Sequence, residues 1–571
     1  MNDQATWVAA NDSFLATALA DLRARLQRAA QQHDAPAAPP PPVPTAAVAA
    51  VEAPAVSKPS WFGRVFGGTH PRAALTAAEL DAIRPPAPRA IDAAPPDDAA
   101  TPAGTPAPDA NSHAPALEIL AERLGLSPFE RDLLLLCVGM ELDTRFPALC
   151  AQAQHDPARP YPTFALAFAV LDAPNWDALS PGRPLRYWRL LEIHQPGAQP
   201  LVGAALAADE RVVNFIKGLN YLDDRLVPLL TALPAAALPA SQQALAEQVI
   251  DSLRHAPPGE AVPVTQLLGS DSVSKQAIAQ TVAAAFGVQA YRLPAELLPG
   301  AAGEQETLLR LWQRESRLLP LALYLDASGV ERTDAAAMLV RRFIANADGL
   351  RFVDAREPWA DPAIPALGID VAKPTAIEQR TLWQRLLGDA AGTQPQHLAG
   401  HFDFNLGRIE QIARGALAAT AHEPAALTQT LWQNALAHTR PALDQLAQRI
   451  EPKAGWDDLK LPDSEKQLLH RIADQVARRG TVYDDWGFRA RMNRGLSISA
   501  LFAGESGTGK TMAAEVLAGE LGLSLYRIDL SAVVSKYIGE TEKNLRKLFD
   551  AAEDGGAILF FDEADALFGK R

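Results

Sequence analysis

The sequence predicts an α/β architecture in which a phosphate-binding module is written twice, in tandem, behind a mainly helical domain and a Pro/Ala-rich tether. Three observations carry this expectation. The stretch Gly504-Glu505-Ser506-Gly507-Thr508-Gly509-Lys510-Thr511 satisfies G-x-x-x-x-G-K-[ST] directly after the apolar run from Ile498 to Ala503, the order strand, loop, helix. A second apolar run, Ala557-Ile558-Leu559-Phe560-Phe561, ends in Asp562-Glu563. The same layout recurs upstream, with Lys275 lying 235 residues before Lys510.

The bulk properties bound the possibilities. A chain of 571 residues has room for about four domains. Two cysteines, Cys137 and Cys150, make a disulfide framework implausible and point to the cytoplasm. The chain lacks a continuous apolar run of about 18 residues, and Met1-Asn2-Asp3-Gln4 is not the basic start of a secretory signal, so no membrane association is expected. A net charge of −14 disfavours nucleic acid as a partner.

In chain order, residues 1–34 hold an amphipathic helix, with Leu15, Leu19, Leu22 and Leu26 on one stripe and Asp12 or Ser13 as its cap. Such a stripe either packs on the chain's own domain or docks a partner protein; its separation from any core by the next segment favours the partner. Residues 35–112 form a disordered tether: 17 of the 46 prolines fall between Pro36 and Pro108, mixed with alanine. Within it, Ser60 to Phe66 is an aromatic island.

Residues 113–235 return to globular patterning. Leu117, Leu120 and Leu124 predict a helix stopped at Gly125, and Ser127-Pro128 caps the next. Helices follow over 142–154 and 161–171, then a strand over 185–193, which together read as a winged helix. Its 14 Asp/Glu against 10 Lys/Arg argue for docking protein rather than duplex DNA.

Residues 241–445 carry the first copy of the repeat. Leu267 to Gln276 matches the later loop in layout, Gly287 to Leu293 answers Gly522 to Ile528, and the strand Leu321 to Leu325 ends at Asp326 where the later one ends at Asp562. Ser274 replaces the last loop glycine, Gln276 the hydroxyl, Ala327 the second carboxylate Glu563, and Ala301 stands at the position of Tyr537. A site without those groups is expected to be degenerate and structural. Lys275 either holds a nucleotide weakly or is a surface lysine at a helix start, and the second is the favoured expectation.

Residues 446–571 hold the intact copy. Gly504, Gly507 and Gly509 let backbone amides turn toward phosphate, with Glu505, Ser506 and Thr508 completing the loop. Lys510 is placed to reach the β/γ-phosphates and Thr511 to ligate Mg²⁺. Asp562 is the metal-organising carboxylate and Glu563 the water-activating base. Between the motifs, Ser535-Lys536-Tyr537-Ile538-Gly539-Glu540-Thr541-Glu542-Lys543 closely resembles the AAA+ ATPases over roughly residues 456–571.

That resemblance implies ATP and Mg²⁺ as cofactors, ATP hydrolysis, a ring of subunits, normally six, and Tyr537 lining a central pore that grips a polypeptide client. It also makes Trp456 to Leu459 a lead-in linker, Val482 to Gly487 an adenine border, and Arg408 the sensor-2 position of the first copy. The order of helix, tether, winged helix, degenerate copy and intact copy resembles the AAA+ ATPases of bacterial contractile, phage-tail-like injection systems. A component of such a system is then the expected partner of the N-terminal region.

The second copy has no counterpart of the roughly 82 residues that separate Asp326 from Arg408, so the sequence is expected to be a fragment lacking sensor-1, the arginine finger and the lid, with negligible turnover by itself. The rival expectation is an ATP-dependent assembly scaffold that threads nothing.

Overall fold

A computed structural model describes residues 2–32, 114–257, 262–331, 334–359, 364–388, 392–491, 497–505, 507–529, 540–562 and 564. The tether, with its aromatic island, lies outside the described residues, as do Ser506, Tyr537 and Glu563.

Helix α1 (Asn2–Gln32) starts thirteen residues before Leu15, the first leucine of its stripe. Leu15, Leu19, Leu22 and Leu26 are all buried, and they share one core with α2 (Ala116–Leu124), α3 (Pro128–Leu142), α4 (Phe146–Ala153) and α5 (Phe164–Val170). Asn11 locks the contact: its amide donates to the carbonyl of Ile216 at 3.0 Å, and its carbonyl oxygen accepts from the amide of Ala116 at 2.9 Å. Arg23 adds an ion pair to Asp143 at 2.6 Å. The expectation that the stripe faces a partner is therefore corrected. A two-heptad stripe is too short to stand in water alone, and the chain's own domain supplies its cover.

Asp12 and Ser13 lie inside α1 and do not cap it, whereas the caps predicted in the next domain hold. Gly125 takes a left-handed φ of +70° after α2, and Ser127 and Glu130 form a reciprocal capping box at the start of α3. The strand expected over 185–193 is mostly absent. Pro184 opens a helical turn through Tyr187, and Arg189 sits at a positive φ of +51°, which breaks the alternation. Only β1 (Leu191–His194) remains; it pairs antiparallel with β2 (Ala205–Ala208), and α6 (Glu210–Ile216) follows.

The next unit is a six-stranded sheet of order β3-β5-β6-β7-β4-β8. Its elements are β3 (Thr231–Ala232), α7 (Ala240–Arg254), β4 (Val264–Leu268), α8 (Ser272–Ala285) and β5 (Gln289–Pro294), then α9 (Ala302–Leu318), β6 (Leu321–Asp326), α10 (Ala335–Asn346), β7 (Leu350–Ala355) and β8 (Ala366–Asp370). Five strands are parallel, and β3 is a short antiparallel edge. Helices cover both faces in two separate cores, which is why β4, β6 and β7 are buried along their whole length. Arg314 of α9, fully buried, ties this unit to the preceding domain through Asp209 and Asp223, and Arg211 pairs with Glu315 at 3.1 Å.

Four helices follow: α11 (Ala376–Leu387), α12 (Gln394–His401), α13 (Leu406–Ala419) and α14 (Leu427–Asp444), packed around Trp383, Phe404 and Leu431. The chain then passes through β9 (Gln448–Ile450), α15 (Asp463–Ala477), α16 (Lys510–Leu521), β10 (Ser524–Asp529), α17 (Glu540–Ala552) and β11 (Ala557–Asp562). The second sheet has the order β9-β10-β11, with β10 and β11 parallel and β9 antiparallel. This is the order of β3-β5-β6 in the first sheet.

Two expectations fail in this second sheet. Residues 498–503 form no strand, and Leu501 is 87 % exposed. In the first sheet β4 is hydrogen-bonded between β7 and β8, whereas no described strand stands beside 498–503. A parallel central strand without neighbours has no partner for its backbone amides and carbonyls. For the same reason β11, paired on one side only among the described residues, is half-buried where the sequence predicts a buried strand.

Candidate functional site

The site is built on the turn into α16. Gly507 and Gly509 adopt φ of +82° and +87°, values open to glycine at no steric cost, and Gly509 is the N-cap of the helix. Lys510, the first helical residue, folds back over the loop and donates from Nζ to the carbonyls of Gly504 at 2.9 Å and Glu505 at 2.8 Å. Thr508 ties the loop to itself by donating to the Glu505 carbonyl at 2.9 Å. Thr511 is exposed one residue further on. Below the loop, the lead-in segment packs as Leu459 against Val516 and Leu517, and Trp456 stacks on His470 at 3.8 Å.

Asp562 ends β11, level with Asp529 of β10, and forms an ion pair with Arg527 at 2.7 Å. Its first-half counterpart does the same: Asp326 accepts two bonds from Arg292, at 2.6 and 2.8 Å. Sequence reading missed both arginines. The signal was present, because Tyr-Arg stands at 291–292 and again at 526–527.

Lys275 is not a surface lysine. It is fully buried and forms an ion pair with buried Asp354 at the end of β7, with a further bond to the Gly269 carbonyl at 2.7 Å. Tyr324 donates to the other oxygen of Asp354 at 2.6 Å; burial first, then this carboxylate, holds the phenol pKa well above its ordinary value. Ser274, where the intact loop has Gly509, turns inward to donate to Asp271 at 2.6 Å. Nothing in the local motif around Lys275 announces Asp354, which arrives from a strand 79 residues later.

Arg408 lies against His438 at 3.1 Å inside the four-helix unit. The stretch proposed to border adenine forms a turn over Thr481–Asp485, and Asp485 accepts from Arg380 at 2.8 Å and Gln396 at 2.6 Å.

The donor set of the second loop fits a nucleotide with its metal. A lysine ammonium that among the described residues meets only loop carbonyls, the amides at the start of a 12-residue helix, an exposed hydroxyl and a strand-end carboxylate are the groups a triphosphate and a hard cation bind.

Comparisons with known proteins agree with this chemistry. Residues 500–571 match the family model of the ATPase family associated with various cellular activities (AAA). Residues 106–230 match a winged helix domain, variant, and residues 375–441 match the contractile injection system ATPase helical domain. The chain is 37 % identical over 126 residues to an uncharacterized AAA family ATPase, y4kL, of Sinorhizobium fredii, covering 22 % of this chain and 36 % of the relative. It is 33 % identical over 138 residues to cell division protein C of Sulfolobus acidocaldarius, covering 23 % and 34 %. Against the peroxisomal ATPase PEX6 of Penicillium chrysogenum it is 32 % identical over 121 residues, 21 % of this chain and 8 % of that one.

The chain thus spans about a third of the length of the first two relatives. Together the three family matches support an AAA+ ATPase, and the α/β fold with its mostly parallel sheet fits a phosphate-loop domain of that class. The match over α11 to α14 adds a contractile injection system ATPase helical domain. Among the described residues no helix is long and apolar enough to cross a membrane.

Proposed function

We propose that this protein binds and hydrolyses ATP as an AAA+ ATPase with two phosphate-loop modules in tandem, residues 241–445 and 446–571, of which only the second retains the chemistry. The contrast between the two lysines supports this most directly. Phosphate oxygens can replace the loop carbonyls that Lys510 now touches, whereas Lys275 is already neutralised by Asp354.

ATP·Mg²⁺ supplies the phosphoryl group that is transferred and the cation that offsets its charge. Lys510 and the first amides of α16 hold the phosphates. Thr511 and Asp562, the latter now paired with Arg527, would hold the metal. Glu563 takes the proton of the attacking water. Subunits in a ring, a hexamer, couple turnover to movement of Tyr537 on a protein client. The match over 375–441 supports service to a contractile injection apparatus, reached through the winged-helix face rather than the covered stripe of α1.

The test is MgATP binding to single-lysine variants. Lys510→Ala should weaken it roughly a hundredfold and Lys275→Ala should leave it; the reverse pattern would sink the assignment. Tyr537→Ala separates a threading motor, which loses client processing but keeps ATPase, from an assembly scaffold, which keeps both.

A further inference from the structure

The carboxyl ends of the first-half strands, where a phosphate-loop domain keeps its phosphates, are covered by the chain itself. Ser270 lies in the loop after β4, Arg356 one residue beyond β7, Lys373 three beyond β8, and Asp403 before α13. Against them sits the turn from α17 into β11. Ser270 donates to Glu553 at 2.7 Å, Lys373 pairs with Asp554 at 2.6 Å, and Arg356 pairs with Asp550.

The backbone fits as closely as the charge. The Asp403 amide donates to the Asp554 carbonyl at 3.0 Å, and Phe402 bridges Gly555. Gly555 and Gly556 hold φ of +83° and +73°; a Cβ on Gly555 would stand 2.2 Å from the His401 carbonyl oxygen, and one on Gly556 2.4 Å from the Phe402 ring.

We propose that this mouth is a docking socket whose ligand is the acidic turn Asp550–Gly556 of the same chain, with carboxylates standing where phosphates stand in a working module. The reading rests on the first half being a spent phosphate-loop module. Its physical logic is charge. Asp354 already neutralises the deep lysine, and Lys373 and Arg356 at the rim supply the positive charge that meets the acidic turn. Burial alone would lower the Lys373 ammonium pKa, but Asp554, with Asp403 and Glu553, outweighs it and raises that value. The turn leads directly into β11, so the socket fixes the near end of the strand whose far end carries Asp562.

The test is amide hydrogen exchange over residues 554–558 in the 571-residue chain. Lys373→Glu should speed exchange there by about tenfold, and the swap Lys373→Glu with Asp554→Lys should return it to within about threefold of the parent. Gly555→Ala, which keeps every charge, should loosen the same amides and serves if Lys373→Glu does not fold. Exchange unchanged by Lys373→Glu, or by Gly555→Ala where only that variant folds, would overturn the proposal, as would a swap no better protected than the single variant. Failure of the spent-module reading shows separately, as MgATP binding lost in Lys275→Ala.

Discussion

Two lysines that the proposed tandem reading puts at the same place in two loops have opposite surroundings. Lys275 is sealed in the protein interior against a carboxylate delivered by β7, while Lys510 is half-buried and, among the described residues, donates to the carbonyls of its own loop. A phosphate loop is a local device, but whether it receives phosphate depends on whether the fold has already supplied the counter-charge. The rest of the comparison follows that line: Ser274 is tied inward where Gly509 is open, yet Asp326 and Asp562 make the same ion pair with Arg292 and Arg527.

The comparison breaks most visibly at Lys275. Lys275→Ala leaves Asp354 buried without its cation and should destabilise the first half by about 3–5 kcal/mol, read by urea denaturation. Adding Asp354→Leu to that variant should recover much of the loss; a double variant as weak as the single would mean that the ion pair is not the source.

The opposite signature is expected at Lys510. Its replacement by alanine removes charge-assisted bonds to phosphate worth about 2–3 kcal/mol, roughly a hundredfold in MgATP affinity, with the unfolding midpoint unmoved. A drop in stability comparable to that of Lys275→Ala would erase the distinction between the two sites.

A smaller effect lies at the seam between the halves. Burial first, then His397 and Arg479, lowers the His401 pKa from 6.5 to about 4. A depressed folded-state pKa contributes stability that is complete above the unfolded value and is lost as pH falls through the folded one. Unfolding midpoints should therefore decline between pH 6.5 and 4, and His401→Gln should flatten that slope. The least change is expected from Leu501→Ala, about 0.5 kcal/mol or less, because Leu501 is exposed where β4 of the first half is buried.

Elements whose signals are local were legible in the sequence: the caps at Gly125 and Ser127, the glycine turn into α16, and the strands ending at Asp326 and Asp562. Those that depend on a distant neighbour were not. The run 498–503 has strand composition and no strand beside it, and the stripe of α1 reads equally well as a partner surface until the domain that covers it is seen.

Composition and spacing by themselves determined where a glycine-rich loop with its lysine and a strand ending in a carboxylate stand, and they are the ground for proposing that the layout is written twice with the first copy spent, because these are short-range patterns of backbone freedom and apolar periodicity. Only the tertiary structure decided that Lys275 is quenched by Asp354, that α1 belongs to its own domain, and that an acidic turn seats on the first sheet. Each of those outcomes pairs groups tens to hundreds of residues apart. Which charge or apolar face meets which is settled by burial and electrostatics in three dimensions rather than by any pattern along the chain.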